Sequence, residues 1–147
     1  MKNQVGAIPF RRTISGSIEV LLITTRGTKR WVVPKGWPWR RRPNHQAAAG
    51  EAWEEGGVRG EAGPNSIGSF EYDKRVRGTR ITLTVVVYLL EVTEESADWP
   101  EIEQRQRSWF SPGAAADLVS EPGLKAILLS FVDATAWQAA ATRSNMA

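Results

Sequence analysis

The run Ile81 to Val92 (ITLTVVVYLLEV) limits the possible folds of this chain more than any other segment. It is apolar and β-branched and contains neither glycine nor proline, so it reads as a strand long enough to be central in a sheet. A central strand of this kind calls for a sheet covered on both faces. Val5 to Arg12 and Ile18 to Thr25 read as further strands, the second bounded by Ser15-Gly16 and Gly27. Arg30 to Val33 reads as a short strand that Pro34 ends, because proline donates no ladder hydrogen bond. Gly36 to Pro43 (GWPWRRRP) is a loop. Asn44 is expected to cap a helix running through AAAGEAWEE, and Gly56-Gly57 to stop it. Ser66 to Asp73 gives another strand, with Gly78 in the turn before Ile81. Gln106 to Phe110 adds a short strand and Pro112 to Val119 a short helix. Leu124, Ile127, Leu128 and Phe131 fall on one face of a C-terminal helix expected at about 121–138. The expected class is α+β, a mixed β-sheet between helices, in a single domain over residues 1–147.

Composition removes several function classes. With no cysteine, a disulfide framework, a thiolate metal site and a cysteine nucleophile are all excluded. No apolar run approaches the roughly 18 residues that would span a bilayer, and the N-terminus lacks a signal-peptide core, so a cytoplasmic location without membrane contact is expected. The net charge of +3 hides an asymmetry. Residues 1–43 hold ten Lys or Arg against one acid, Glu19, whereas residues 44–147 hold nine against fifteen acids. A basic surface that attracts an anion beside an acidic element that holds a cation is one reading of this split; solvated charge on unrelated faces is the other. No helix-turn-helix or zinc signature accompanies the basic half, so no stable nucleic-acid complex is expected.

The acidic element is specific. Glu51, Glu54 and Glu55 stand at i, i+3 and i+4, which places them on one helix face with no lysine or arginine in that helix to relieve them. A solvated acidic face is the plain reading. Hard oxygen ligands in this pattern also suit magnesium or manganese, which bind through a few carboxylates plus substrate phosphates. Just before the helix come Lys35 and the Arg40, Arg41, Arg42 triplet, cations able to neutralise phosphate charge. Together these are the groups needed for attack on a phosphoanhydride.

At this point a resemblance appears. The 23 residues Gly36 to Val58 (GWPWRRRPNHQAAAGEAWEEGGV) resemble the Nudix box, with Gly36, Glu51, Ala52, Glu54, Glu55, Gly57 and Val58 in register. Two positions depart: Arg42 stands where the box has a glutamate, and Gly50 where it has an arginine. Phe70 to Arg75, the strand from Ile81, and Trp99 with Arg105, Arg107, Trp109 and Phe110 are similar to the diphosphoinositol polyphosphate and diadenosine polyphosphate hydrolase branch, so the likeness covers roughly residues 4 to 133.

The resemblance implies an α/β/α sandwich with a mixed sheet between its helices. It also implies a phosphorylated small-molecule substrate and a magnesium or manganese cofactor. Glu54 and Glu55 would be principal metal ligands, Glu51 a further ligand or the base that activates water, and the backbone at Gly36 or Lys35 would complete the coordination. Lys35, Arg40, Arg41 and Arg42, with Arg11 and Arg30, would bind an inositol pyrophosphate or a diadenosine polyphosphate. RNA 5′ ends, ADP-ribose, or polyphosphate binding with weakened catalysis are the alternatives. Loss of the box arginine and glutamate together implies a metal site that is kept but less tightly buttressed. Trp37 and Trp39 are read as stacking surfaces for a base or as loop packing. Trp31, Trp53, Trp99, Trp109 and Trp137 are read as core contacts. His45 is read as exposed, and Arg105 and Arg107 as pointing at the site or pairing with Glu101 or Glu103 at the surface.

Overall fold

A computed structural model describes residues 3–131 of the chain. In chain order the elements are β1 (Asn3–Arg12), β2 (Ile18–Thr24), β3 (Trp31–Val32), β4 (Lys35–Gly36), α1 (Asn44–Gly56), β5 (Val58–Ala62), β6 (Gly68–Val76), β7 (Thr79–Glu95), β8 (Arg107–Phe110), α2 (Pro112–Leu118) and α3 (Pro122–Ser130). β1 and β7 run parallel at the centre, in register from Asn3 opposite Thr84 to Phe10 opposite Glu91. Every other pairing is antiparallel. β6 and β5 share the far edge of β7, β6 along residues 79–87 and β5 along residues 90–95. The free edge of β1 is divided as well: Phe10 to Arg12 pair with β2, whereas Val5 and Gly6 pair with β4. Between those stretches Ala7 donates its N–H to the carbonyl of Pro34 at 3.0 Å. β3 and β8 continue the sheet from β2.

The period-2 alternation of β1, β2 and β7 divides two cores. Val5, Ala7, Leu21, Tyr88 and Leu90 face Ala47, Ala48 and Ala52 of α1. Ile8, Phe10, Val20, Leu22, Val85, Val87 and Leu89 face the other way, toward Ala115, Ala116, Leu124 and Leu128 of α2 and α3. The sheet is thus apolar on both faces and covered on both, as the long central strand requires. The alanines of α1 let its backbone lie close on the sheet.

Several expected boundaries move. The central strand extends to Thr79–Glu95, because its ends form an exposed ribbon with β6 and a pairing with β5. β4 and β5 were not foreseen, being two residues long and glycine-interrupted. Asn44 does not cap α1 but begins it. Pro43, at φ −58° and ψ 150°, occupies the cap position, and its carbonyl accepts from Gln46 and Ala47. Gly57 closes the helix in the left-handed region at φ 70°, as anticipated from Gly56-Gly57. The described part of the C-terminal helix ends at Ser130; the stretch expected to follow, with Trp137, lies outside the described residues.

Leu128 is fully buried and ties α3 to the sheet. Leu128→Ala is expected to lower unfolding free energy by about 2–5 kcal/mol in urea titrations, the usual range for deleting a buried leucine side chain.

Candidate active site

α1 enters from the loop that follows β4, and this sets the acidic face of the helix against the split edge of β1. Glu51 and Glu55 both line a cleft of about 960 Å³ whose walls include Lys35, Arg30, Tyr72 and Arg105. One helical turn separates the two carboxylates, about 40° apart around the axis. Glu54 lies about 60–100° from them; it is half-buried and outside the cleft lining, and its backbone carbonyl accepts from Glu101 N at 3.1 Å. The expectation of three carboxylates meeting at one point is therefore met by two. Among the described residues no group of three acidic or histidine side chains converges in metal-binding geometry.

Gly36 is where the box places it, and its lack of a side chain has a use. A Cβ there would come within 2.7 Å of Glu51 Oε1 and closer to the rest of that carboxyl. The glycine thus leaves room for Glu51 above the backbone of β4. The Lys35 N–H donates to Glu55 Oε1 at 3.2 Å, and Arg105 Nη2 lies 3.4 Å from Glu55 Oε2. Burial pushes the Glu55 carboxyl up to about 7; Arg105 opposes that shift and Glu51 adds to it. Glu51 is raised as well, first by burial and then by the charges of Glu54 and Glu101, while a hydrogen bond from Trp39 opposes this. Lys35 is lowered, chiefly by burial, with Glu55 and Glu121 holding it up. Its ammonium lies 4.6 Å from the centre of the Tyr72 ring. Burial thus disfavours the charges of both Glu51 and Glu55, which a cation bound beside them would offset.

The other cations expected at the site divide between cleft and surface. Arg30 lines the cleft and reaches Glu121 at 3.5 Å. Arg40, Arg41 and Arg42 are exposed on the loop after Trp39 and do not line the cleft. Arg11 is placed elsewhere, paired with Glu19 at 2.8 Å and lying 4.1 Å over Trp109. The reason is position along β1: Arg11 stands five residues beyond Gly6, the partner of Lys35, about 17 Å further along the strand.

Arg105 is no surface pair: only 10% exposed, it bridges Glu55 to Glu101 and donates to the Thr24 carbonyl. Arg107 points away from the cleft. It donates to the carbonyls of Gly56 and Gly57 at the end of α1 and stacks over Trp99. His45 is half-buried, 6.4 Å from Tyr88 between ring centres.

Glu101 was read only as a surface partner of Arg105 or Arg107, and no role was read for Tyr72 or Glu121. Glu101 closes the ion-pair chain behind Arg105. Tyr72 donates to Gln4 Oε1 at 2.7 Å, and burial raises its phenol, with Glu55 and Glu121 adding to the effect. Glu121 is buried at the start of α3, and its Oε1 has no hydrogen-bond partner. An acid directly before Pro122-Gly123 at a helix start was the available signal for Glu121. Beside the cleft, a second cavity of about 740 Å³ shares Arg30, Tyr72, Asp73 and Glu121 with it.

No family model matches the chain. It is 35% identical over 132 residues to Nudix hydrolase 21, chloroplastic, of Arabidopsis thaliana, spanning 88% of the chain and 65% of that protein. Nudix hydrolase 16, mitochondrial, of the same plant is 31% identical, with 84% of the chain and 76% of that protein aligned. Diphosphoinositol polyphosphate phosphohydrolase 2 of Rattus norvegicus is 38% identical over 95 residues, 63% of the chain and about half, 49%, of that protein. In fold, an Ap4A hydrolase of C. elegans in a binary complex superposes with a TM-score of 0.65 at 18% identity, covering 95% of the chain and 98% of its own.

Arg105→Met removes the counter-charge of a buried carboxylate. At pH 8, with a chelator present, it is expected to cost about 2–4 kcal/mol of stability in urea unfolding. The folded-state pKa of Glu55 lies above the usual carboxylate value, at about 7. Below pH 5 Glu55 is neutral in the folded parent as well, so the attraction to Arg105 is absent there and the deficit of the variant is expected to shrink.

Proposed function

The chain belongs to the Nudix hydrolase family, and we propose that it hydrolyses a phosphoanhydride bond in a polyphosphorylated small molecule. One observation carries the proposal. Two partly buried carboxylates, Glu51 and Glu55, stand one helical turn apart in a cleft that also holds Lys35 and Arg30.

A divalent cation fits this donor set. The oxygens are hard, burial disfavours the charges of Glu51 and Glu55, Glu51 adds to the effect at Glu55, and Glu54 occupies the adjoining strip of the same helix. Glu51 and Glu55, with the Gly36 carbonyl, would hold it, and Glu54 would join them by turning from its place outside the cleft lining. Bound magnesium or manganese supplies acidification of water and neutralisation of charge on the departing phosphate. In the proposed reaction a water oxygen bonds to phosphorus, the bond from that phosphorus to the bridging oxygen breaks, and the water's proton passes to Glu51. The bridging oxygen leaves with the second phosphate. Lys35 and Arg30 bind the phosphates; Arg40, Arg41 and Arg42, next along the loop from the cleft-lining Trp39, meet a phosphate chain that extends out of the cleft.

The second cavity bears on substrate class. It sets Glu71, Asp73 and Glu121 against a single Arg30, which repels a further phosphate but accepts hydrogen-bond donors. This favours a substrate with phosphates at one end and a neutral, donor-bearing group at the other, as in a nucleoside polyphosphate of the diadenosine type. An inositol pyrophosphate is the second reading, favoured by the likeness to the rat diphosphoinositol polyphosphate phosphohydrolase.

The test is a panel of diadenosine polyphosphates, inositol pyrophosphates, capped or triphosphorylated RNA and ADP-ribose, each with magnesium and with manganese. Metal-dependent release of a phosphorylated product from the first class is expected, and chelation should abolish it. Glu54→Gln and Glu55→Gln should each lower kcat by about 100-fold or more, the scale for loss of a charge-stabilising group. Rates within a few-fold of the parent would remove the assigned role of the glutamates, and tight binding without turnover would favour a binding module.

A further inference from the structure

Gly50 is an anomaly at the centre of α1. Glycine is disfavoured inside helices, and this one has an ordinary helical neighbourhood. The structure gives it a purpose. Trp39, in the loop between β4 and α1, lays its six-membered ring over Gly50, where a Cβ would stand 2.5 Å from Cζ2 and 2.9 Å from Cζ3. From that seat the indole Nε1 donates to Glu51 Oε2 at 3.3 Å. Trp39 is 37% exposed, so burial of the ring alone does not account for its placement. Its companion Trp37 is more exposed, at 49%, with no described partner for its ring nitrogen, so the contact is particular to Trp39.

We infer that Trp39 and Gly50 form a single positioning unit for Glu51: the bare helix position seats the indole, and the indole N–H fixes the carboxylate at the wall of the cleft. The geometry is mutual. Any side chain at residue 50 displaces the ring, and without the ring Gly50 has no function beyond its cost to the helix. The unit also explains how this helix does without a cation of its own beside Glu51. A neutral donor from the preceding loop holds the carboxylate while leaving its negative charge for a ligand. Neither residue touches the reacting atoms, so both act through Glu51. Because the loop is anchored by Trp39, the unit also fixes where Arg40, Arg41 and Arg42 depart from the helix.

The inference rests on the proposed function only in treating Glu51 as a group the reaction uses, and its test separates the two. Five proteins are compared: the parent, Trp39→Phe, Gly50→Ala, Trp39→Ala, and Trp39→Ala combined with Gly50→Ala. The first readout needs neither metal nor substrate. Carbodiimide modification of Glu51 in chelator-treated protein is followed by mass spectrometry, with Glu54 as the internal reference. Trp39→Phe keeps the ring and loses only the donor; it is expected to raise Glu51 modification about 3-fold or more, on the scale of one hydrogen bond to a charged group. Gly50→Ala should do the same by displacing the ring, with an unchanged or higher thermal midpoint, since alanine favours the helix. In the Trp39→Ala background, Gly50→Ala should add nothing to modification.

The second readout is manganese binding by electron paramagnetic resonance, together with kcat and KM on a diadenosine polyphosphate. Trp39→Phe and Gly50→Ala should each weaken manganese binding and lower kcat about 3–10-fold, with KM within 2-fold of the parent. Glu51 modification at the parental level in both single variants overturns the inference, as does an effect of Gly50→Ala that persists undiminished without Trp39. Altered modification with no turnover by any of the proteins supports the positioning unit and overturns the proposed function instead.

Discussion

A carboxylate held away from water sets the terms for the rest of this structure. Glu55 is 8% exposed, and its oxygens are met by a backbone N–H from β4 on one side and by the Arg105 guanidinium on the other. Those contacts do not restore what hydration supplied, and the carboxyl remains shifted toward its neutral form. Arg105 is in turn held by Glu101 and by the Thr24 carbonyl at the end of β2. One helix residue therefore fixes the position of β4, of the loop after β7 and of the end of β2. The side of the cleft formed by α1, β4 and Arg105 is tied to this buried charge.

The sheet and its helices were legible because period and punctuation agreed. The alternation in β1, β2 and β7 reports two buried faces, and Gly57 could only end a helix. The acidic face of α1 was legible from spacing alone. What escaped was set by contacts between distant segments. Glu121 reads as an ordinary surface charge until its burial is known, and Arg105 reads either as facing the site or as pairing at the surface. The arginine triplet reads as a neighbour of Lys35 because it is close in sequence, and Arg11 because it is part of the same basic stretch, yet the exposed loop after Trp39 and the far end of β1 carry them elsewhere. Asn44 lost the cap to Pro43 because the proline's fixed φ starts the helix one residue before the side-chain preference would.

The charge split between the two parts of the chain takes a different form in space. Its basic part does not gather into one patch; Lys35 and Arg30 enter the cleft, Arg11 is neutralised by Glu19, and the triplet stays in solvent. Of the acidic part, Glu51 and Glu55 line only the first cavity and Glu71 only the second, while Asp73 and Glu121 line both. The two adjoining cavities thus differ in the charges that line them, which neither total charge nor local runs of lysine and arginine reveal.

The division of the β1 edge between β2 and β4 has a consequence for how such a molecule can change. The acids proposed to bear the chemistry stand on one helix, where Glu55 is braced by β4 and by Arg105. The turn after β2 and the β6–β7 ribbon, which supply much of the remaining cleft wall, hang from other strands. An insertion in either would reshape the space above the helix without passing strain to its acidic face. Chemistry and selectivity are thus separable parts here, and one could be retuned over generations while the other stays fixed.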